Sequence, residues 1–255
     1  MTPYPTKEQM ALSFGASAQV YDRLRPRYPD TAVDHAIGTA TIATAVDLGA
    51  GTGLLTAALR ARGLDVIAVE PDAGMVAQLT ARLPGVRAEI ATAEAMPLPD
   101  ASVDAVFIGQ AFHWFRRPQA DREIARVLRP GGIAVILTNV NPDDANWENV
   151  LHQAVLGAEQ PSLAHEAVSL APDLFTDETE VSFSNPQRLS LADFLVLPTT
   201  WSWVATATPH QQARVADETA RLAERIADPG GATVTMPYAT RVIRAVRRPD
   251  QRPLP

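Results

Sequence analysis

The chain has 255 residues, 46% of them hydrophobic, a formal charge of -7 at pH 7 and no cysteine. Without cysteine there is no disulfide framework, thiolate metal site or cysteine nucleophile. The acidic balance opposes nonspecific binding to a nucleic-acid backbone, which wants a basic face. No run approaches the roughly 18 apolar residues of a membrane span, and the leading MTPYPTKEQM lacks the basic-then-apolar pattern of a secretion signal. The expectation is a cytoplasmic protein with a small-molecule substrate and no nucleic-acid or membrane partner. The histidines are scattered and no carboxylate set has convincing ligand spacing, so no metal is expected. No feature of the sequence sets an oligomeric state.

In chain order, residues 1–30 are rich in proline and tyrosine, with Tyr21, Arg25, Pro26, Tyr28 and Pro29. They predict an irregular segment after a short helix, able to cover a pocket. Residues 31–140 carry the informative rhythm. Candidate strands run over Thr44 to Leu48, Asp65 to Val69, Val86 to Ala91, Val103 to Ile108 and Ile133 to Thr138, each apolar enough to be buried on both faces. Between them, Leu54 to Arg62, Ala73 to Leu83 and Gln119 to Leu128 have apolar residues three and four apart, with Asp72 and Gly131 in cap positions. The alternation predicts an α/β fold with a doubly wound, mostly parallel sheet. Residues 141–204 lose the alternation and contain Trp147, Phe175, Phe183, Phe194 and several prolines, which predicts an inserted substrate cap. Residues 205–246 offer a helix at Pro209 to Ile226 and an alternating run from Thr233 to Val246 that would close the sheet as an antiparallel strand. Residues 247–255 read as a loose tail.

The segment VDLGAGTGLLT, residues 46–56, runs from a buried strand through three alternate glycines into a helix. Gly49, Gly51 and Gly53 can take positive φ and let the backbone lie against a ligand, and the helix amino terminus offers unpaired N–H groups. A tight turn without a ligand would use the same residues. A dinucleotide fingerprint would place its third glycine three residues after Gly51, where Leu54 stands, so NAD is the weaker match. Glu70 ends the apolar run LDVIAV, where an acid can accept hydrogen bonds from both hydroxyls of a ribose.

The series VDLGAGTG, VEPDAGMV, ATAEAMPLPDASVDAV and EIARVLRPGGIAVI, over roughly residues 43–139, resembles the class I methyltransferases that act on small molecules. The resemblance implies a Rossmann-like methyltransferase fold with a seven-stranded sheet and an antiparallel last strand. It implies S-adenosylmethionine as cofactor and S-adenosylhomocysteine as product. It places Asp47, Gly49, Gly51 and Gly53 at the methionine part, Glu70 at the ribose and Met75 near the adenine, with Pro71 also among the cofactor-binding residues. Where the family often reads G-D-A-E, this chain has Ala91, Thr92, Ala93 and Glu94. The aspartate is missing, leaving Thr92 and the groups at Ala93 and Glu94 for the adenine, with Glu94 equally suited to capping the next turn.

GQAFHWF, residues 109–115, follows the fourth strand at the sheet edge where open α/β folds bind ligands. With the leading YDRLRPRYP it resembles the subgroup that includes trans-aconitate methyltransferases, which makes a carboxylate one of the methyl acceptors implied among O-, N- and C-nucleophiles. The resemblance puts Gln110 nearest the sulfonium, and Tyr21 and Arg25 in a lid that reaches the cofactor carboxylate. Arg25 could instead pair with Asp22 or Asp30. His113 reads as a general base, a donor to a substrate carboxylate, or an imidazole packed beside Trp114. Trp201 and Trp203 could wall an apolar substrate pocket or form a core ledge. The rival readings are a cofactor-binding accessory protein without transfer activity and a nicotinamide oxidoreductase.

Overall fold

The structure, a computed structural model, describes residues 18–141, 147–156 and 168–249. The chain divides into two compact units. One, the sheet unit, comprises Arg27–Asn139, Ala167–Phe183 and Thr240–Pro255. The other, the helical unit, comprises Met1–Pro26, Val140–Glu166 and Ser184–Ala239.

Along the chain the elements are α1 (Ala18–Leu24), α2 (Asp30–Ile37), β1 (Thr44–Leu48), α3 (Leu54–Arg60), β2 (Asp65–Val69), α4 (Ala73–Arg82) and β3 (Arg87–Glu89). They continue with β4 (Val103–Gly109), a 3-10 turn at Phe112–Trp114, α5 (Gln119–Val127), β5 (Leu128–Val140), α6 (Trp147–Leu156), β6 (Phe175–Ser184) and β7 (Gln187–Ser190). The last are α7 (Leu191–Val196), a 3-10 turn at Leu197–Thr200, α8 (Ser202–Ala205), α9 (Pro209–Ile226), β8 (Thr233–Met236) and β9 (Ala239–Arg247).

Seven strands form one sheet in the order β3-β2-β1-β4-β5-β9-β6, mostly parallel with an antiparallel last strand, as the resemblance implies. The two-residue period of a strand sends alternate side chains to opposite faces. Val46, Leu48, Val106 and Ile108 pack on one face with Ile124 of α5. Ala45, Ala105, Phe107 and Val135 pack on the other with Val33 of α2 and Leu55 and Leu59 of α3. Burial on both faces is why these strands read as near-continuous apolar runs. β1 pairs in parallel with both β2 and β4, so the strand order reverses at β1. A crevice at the carboxyl ends of the strands follows from such a reversal.

Several expectations are corrected. The third strand is shorter than Val86 to Ala91, covering only Arg87–Glu89. Gly131, expected to cap a helix, lies inside β5 with φ +78, because α5 stops at Val127 and Leu128 is already extended. The alternating run from Thr233 breaks at Pro237, which has no N–H to give to a ladder. Its first part, β8, pairs antiparallel with β7, and only its second part, β9, joins the large sheet. The stretch 141–204 is not one block, since Phe175–Phe183 belongs to the sheet unit. Strand β6 escapes the sequence pattern because FTDETEVSFS is exposed along most of its length, as an edge strand carrying acidic side chains can be.

The proline-rich stretch after β3 has no ladder of its own, and side chains from α5 supply its partners. Glu123 Oε1 accepts from Met96 N at 2.7 Å, while Arg126 donates to the carbonyls of Leu98 and Met96 at 2.8 and 3.1 Å. Arg126 also meets Asp100 and Glu123 at 2.6 and 2.7 Å. Buried or half-buried backbone carbonyls need such partners. Arg126→Ala is expected to lower the unfolding free energy by about 2–3 kcal/mol, measured by urea denaturation.

Candidate cofactor site

The turn after β1 is held by backbone bonds to the neighbouring strand. Gly49 N and Ala50 N both donate to Val69 O, at 2.8 and 3.1 Å, and Gly53 N donates to Ala50 O at 2.9 Å. The three glycines have φ values of +73, +55 and +83, a region costly for side-chain-bearing residues. Their surroundings differ. A Cβ on Gly49 would meet Ala111 Cβ at 2.4 Å, and one on Gly53 would meet Leu79 Cγ at 2.9 Å, whereas one on Gly51 would have nothing within 4 Å. Gly49 and Gly53 therefore let the turn pack against the loop after β4 and against α4. Gly51 alone opens onto free space.

Glu70 ties the next strand end to this turn. Its Oε2 accepts from Gly51 N and its Oε1 from Asp72 N, both at 3.0 Å. Burial raises its pKa above the ordinary carboxylate value, offset by these two N–H donors. Asp72 caps α4, its side chain accepting from Gly74 N and Met75 N at 2.7 and 3.1 Å, which seats the buried Met75 in the first turn. Pro71 lies between the two acids, half-buried.

Asp47, fully buried at the end of β1, accepts from the Thr56 hydroxyl at 2.6 Å through Oδ2. Its Oδ1 has no hydrogen-bond partner among the described residues. Burial pushes its pKa up to about 7, against the bonds from Thr56 and with help from the nearby Glu70 charge. Thr56 was not singled out by the sequence; its position on the inner face of the following helix, nine residues after Asp47, is the only signal for it.

At the end of β4, Gln110 holds a left-handed φ of +57, donates its backbone N–H to Leu137 O at 3.0 Å and its amide to Asn139 O at 2.9 Å. A non-glycine residue in this conformation marks a constrained position. Gly109 admits Tyr28, whose hydroxyl would stand 2.6 Å from a Cβ there. In the sequence Tyr28 is only one residue of the leading segment, and its packing at the β4 end is a contribution that only the structure reveals. His113 is exposed, with its ring centroid 4.6 Å from that of Trp114. Glu94 accepts from Arg116 N at 2.7 Å, so it braces the loop after β4 rather than capping its own turn. Ala93 is buried and Thr92 exposed.

The structure thus brings Asp47, the glycine turn, Glu70, Met75 and Gln110 to the carboxyl edge of the sheet. Arg25 belongs to the helical unit, where it donates to Thr200 O at 2.8 Å. Asp30, one of its suggested partners, is bound by Arg62. Tyr21 lies on α1, and its side chain falls outside the described residues.

Comparison with known proteins gives the family and the fold. The family described as a methyltransferase domain matches residues 46–136. Over 246 residues the chain is 35% identical to an uncharacterized methyltransferase of Mycobacterium tuberculosis, covering 94% of this chain and 98% of that protein. A solved structure provisionally assigned as a type II methyltransferase of Anaeromyxobacter dehalogenans is 27% identical with a TM-score of 0.60, over 88% of this chain and 96% of that one. The fold is also that of a Haemonchus contortus phosphoethanolamine N-methyltransferase solved with S-adenosylhomocysteine, at 12% identity and a TM-score of 0.54, over 97% of this chain and 61% of that one. A doubly wound seven-stranded sheet with a glycine turn at its switch point defines the class I methyltransferase arrangement. The chain belongs to the S-adenosylmethionine-dependent methyltransferase family.

The raised carboxyl pKa values have a defined consequence for stability. A carboxyl whose folded pKa lies above its unfolded value binds its proton more tightly when folded, so its contribution is present at low pH and is lost as pH rises through the folded pKa. For Asp47 the window runs from about 4 to about 7. Asp47→Asn is expected to flatten the fall in stability between about pH 4 and about pH 7 in denaturation curves, with the remaining slope coming in part from Glu70.

Proposed function

We propose that this protein transfers a methyl group from S-adenosylmethionine to a small organic acceptor and releases S-adenosylhomocysteine. The observation that carries the reading is the open space at Gly51 beside a turn N–H and the Glu70 carboxylate. The cofactor fits the residues present: a cradle that a Cβ would fill, an acid able to take two ribose hydroxyls, and a buried Asp47 oxygen still without a donor. Gly49, Gly51, Gly53 and Asp47 would hold the methionine part, Glu70 the ribose, Pro71, Met75, Thr92, Ala93 and Glu94 the adenine surroundings, and Gln110 the region of the sulfur. Arg25 and Tyr21 belong to this proposal as residues for the cofactor carboxylate.

Bound S-adenosylmethionine supplies an electrophilic methyl group on a cationic sulfur. The protein's part is to orient the acceptor and exclude water, so positioning supplies much of the acceleration. The acids Asp47 and Glu70 suit a cationic ligand, since a positive charge nearby favours their ionised forms. Where the acceptor is neutral, His113 is the group proposed to take its proton, being exposed at the end of β4.

Purified protein incubated with methyl-labelled S-adenosylmethionine and a metabolite extract is expected to yield a labelled product detectable by mass spectrometry. Cofactor binding without any labelled product from a broad acceptor panel favours an accessory role; absence of cofactor binding would sink the proposal. Gly51→Val is expected to weaken cofactor binding by about 100-fold or more in calorimetry, because its side chain would stand in the open space and its left-handed φ of +55 adds strain, with circular dichroism checking that the variant folds. With a product in hand, His113→Gln is expected to lower kcat by about 100-fold with cofactor affinity unchanged; an unchanged kcat would restrict His113 to packing.

A further inference from the structure

Two acids stand at the carboxyl edge of the sheet unit, and their surroundings differ. Glu70 accepts from two backbone N–H groups, those of Gly51 and Asp72, each at 3.0 Å. Asp47 is fully buried, its hydrogen bonds come from Thr56, and its Oδ1 has no partner among the described residues. The strands on either side place apolar residues opposite it, Ala68 on β2 and Phe107 on β4. α3 presents the Thr56 hydroxyl, while Arg60 on the same helix is exposed at its far end. At the end of β4 the titratable side chains are Tyr28 and His113, and neither donates to Oδ1. The charge that bears on Asp47 is that of Glu70, which has the same sign, and Asp72 at the start of α4 bears in turn on Glu70.

Burial disfavours the charged form of a carboxyl, and N–H donors aimed at its oxygens restore it. Glu70 has two such donors, whereas one oxygen of Asp47 has none. Neighbouring acids with environments this unequal divide the ionised and the protonated state between them. Glu70 takes the negative charge, and that charge together with burial holds the proton on Asp47. The shift of Asp47 to about 7 has the same direction. The 2.6 Å contact with Thr56 serves both states, because a hydroxyl donates to a carboxylate and accepts from a carboxyl.

We infer that Asp47 is a neutral carboxyl in the ligand-free protein at pH 6 and ionises when the amino-acid part of S-adenosylmethionine binds, releasing one proton to solvent. The identity of the ligand rests on the methyl-transfer reading; the protonation of Asp47 without ligand does not. An ammonium brought to the turn after β1 is both an opposite charge for the carboxylate and an N–H donor for an oxygen that lacks one. Both effects favour the ionised form, so the carboxyl O–H bond breaks, its proton passes to water, and a charge-assisted hydrogen bond replaces it. Affinity therefore rises with pH towards 7 and levels off above it, where Asp47 is ionised before the ligand arrives. A nucleoside without an ammonium has no such dependence through Asp47. In this way one buried acid selects for the cationic amino-acid part of the ligand.

The test follows the aspartate carboxyl carbons of the carbon-13-labelled full-length protein by NMR, with the Asp47 signal assigned by its loss in Asp47→Asn. Without ligand the signal is expected at its protonated position at pH 6. S-adenosylmethionine is expected to move it to the ionised position, and 5′-methylthioadenosine, which lacks the ammonium, to leave it in place. Calorimetry at pH 6 in buffers of different ionisation enthalpy is expected to read release of about one proton per S-adenosylmethionine bound. The Kd is expected to be about tenfold or more weaker at pH 5 than at pH 7, a range in which the ligand's own α-amino group stays protonated. Thr56→Val removes a donor to the carboxylate and is expected to move the Asp47 midpoint upward, which also assigns the signal if Asp47→Asn fails to fold. An Asp47 already ionised at pH 6 without ligand, or one still protonated in the saturated complex, overturns the inference. Failure of S-adenosylmethionine to bind at any pH removes the methyl-transfer reading and the linkage with it, while the ligand-free titration still decides whether Asp47 is held neutral.

Discussion

The backbone N–H of Gly51 donates to the carboxylate of Glu70, and with the bonds from Gly49 N and Ala50 N to Val69 O it joins the turn after β1 to the end of β2. Both groups are at the sheet's carboxyl edge because β1 and β2 run in parallel and in register, with Leu48 opposite Val69. The bond demands a left-handed turn and a buried acid, two features a chain does not keep at no cost. Glycine removes the first cost. The N–H donors from Gly51 and Asp72 offset the second, though burial still raises the Glu70 pKa.

From this bond the neighbouring constraints follow. The turn must lie close to Ala111, which only a glycine at position 49 permits, and its exit must lie against Leu79, which only a glycine at position 53 permits. Asp47 is drawn below the turn, where Thr56 meets one oxygen and leaves the other without a protein donor. The result is a group of acidic and amide groups arranged around one vacant direction, at Gly51. Polar atoms left without partners inside otherwise satisfied structure are where local rules yield to binding.

Much of the sheet unit could be read in advance. Strands β1 and β2 have the bounds the apolar runs indicate, and the helix at Pro209–Ile226 has its own signature, with Pro209 in the first turn and a reciprocal Thr208–Gln211 cap. Strand β6 could not be read, because its exposed acidic residues hide the period of two. The single run from Thr233 to Val246 gave no sign that Pro237 divides it between two sheets. Alternation reports that a segment is extended, and pairing partners are chosen elsewhere in the chain.

The sequence by itself determined the α/β core, the strand-to-helix glycine turn and the acid one strand later, because each is encoded within a short window by periodicity or by glycine's freedom at positive φ. Only the tertiary structure decided which glycine is open, that Glu94 braces Arg116, and that Tyr28 stands at Gly109. The reason is physical: these properties belong to pairs of residues distant along the chain, and whether a buried polar atom has a partner is set only when the other elements have packed around it.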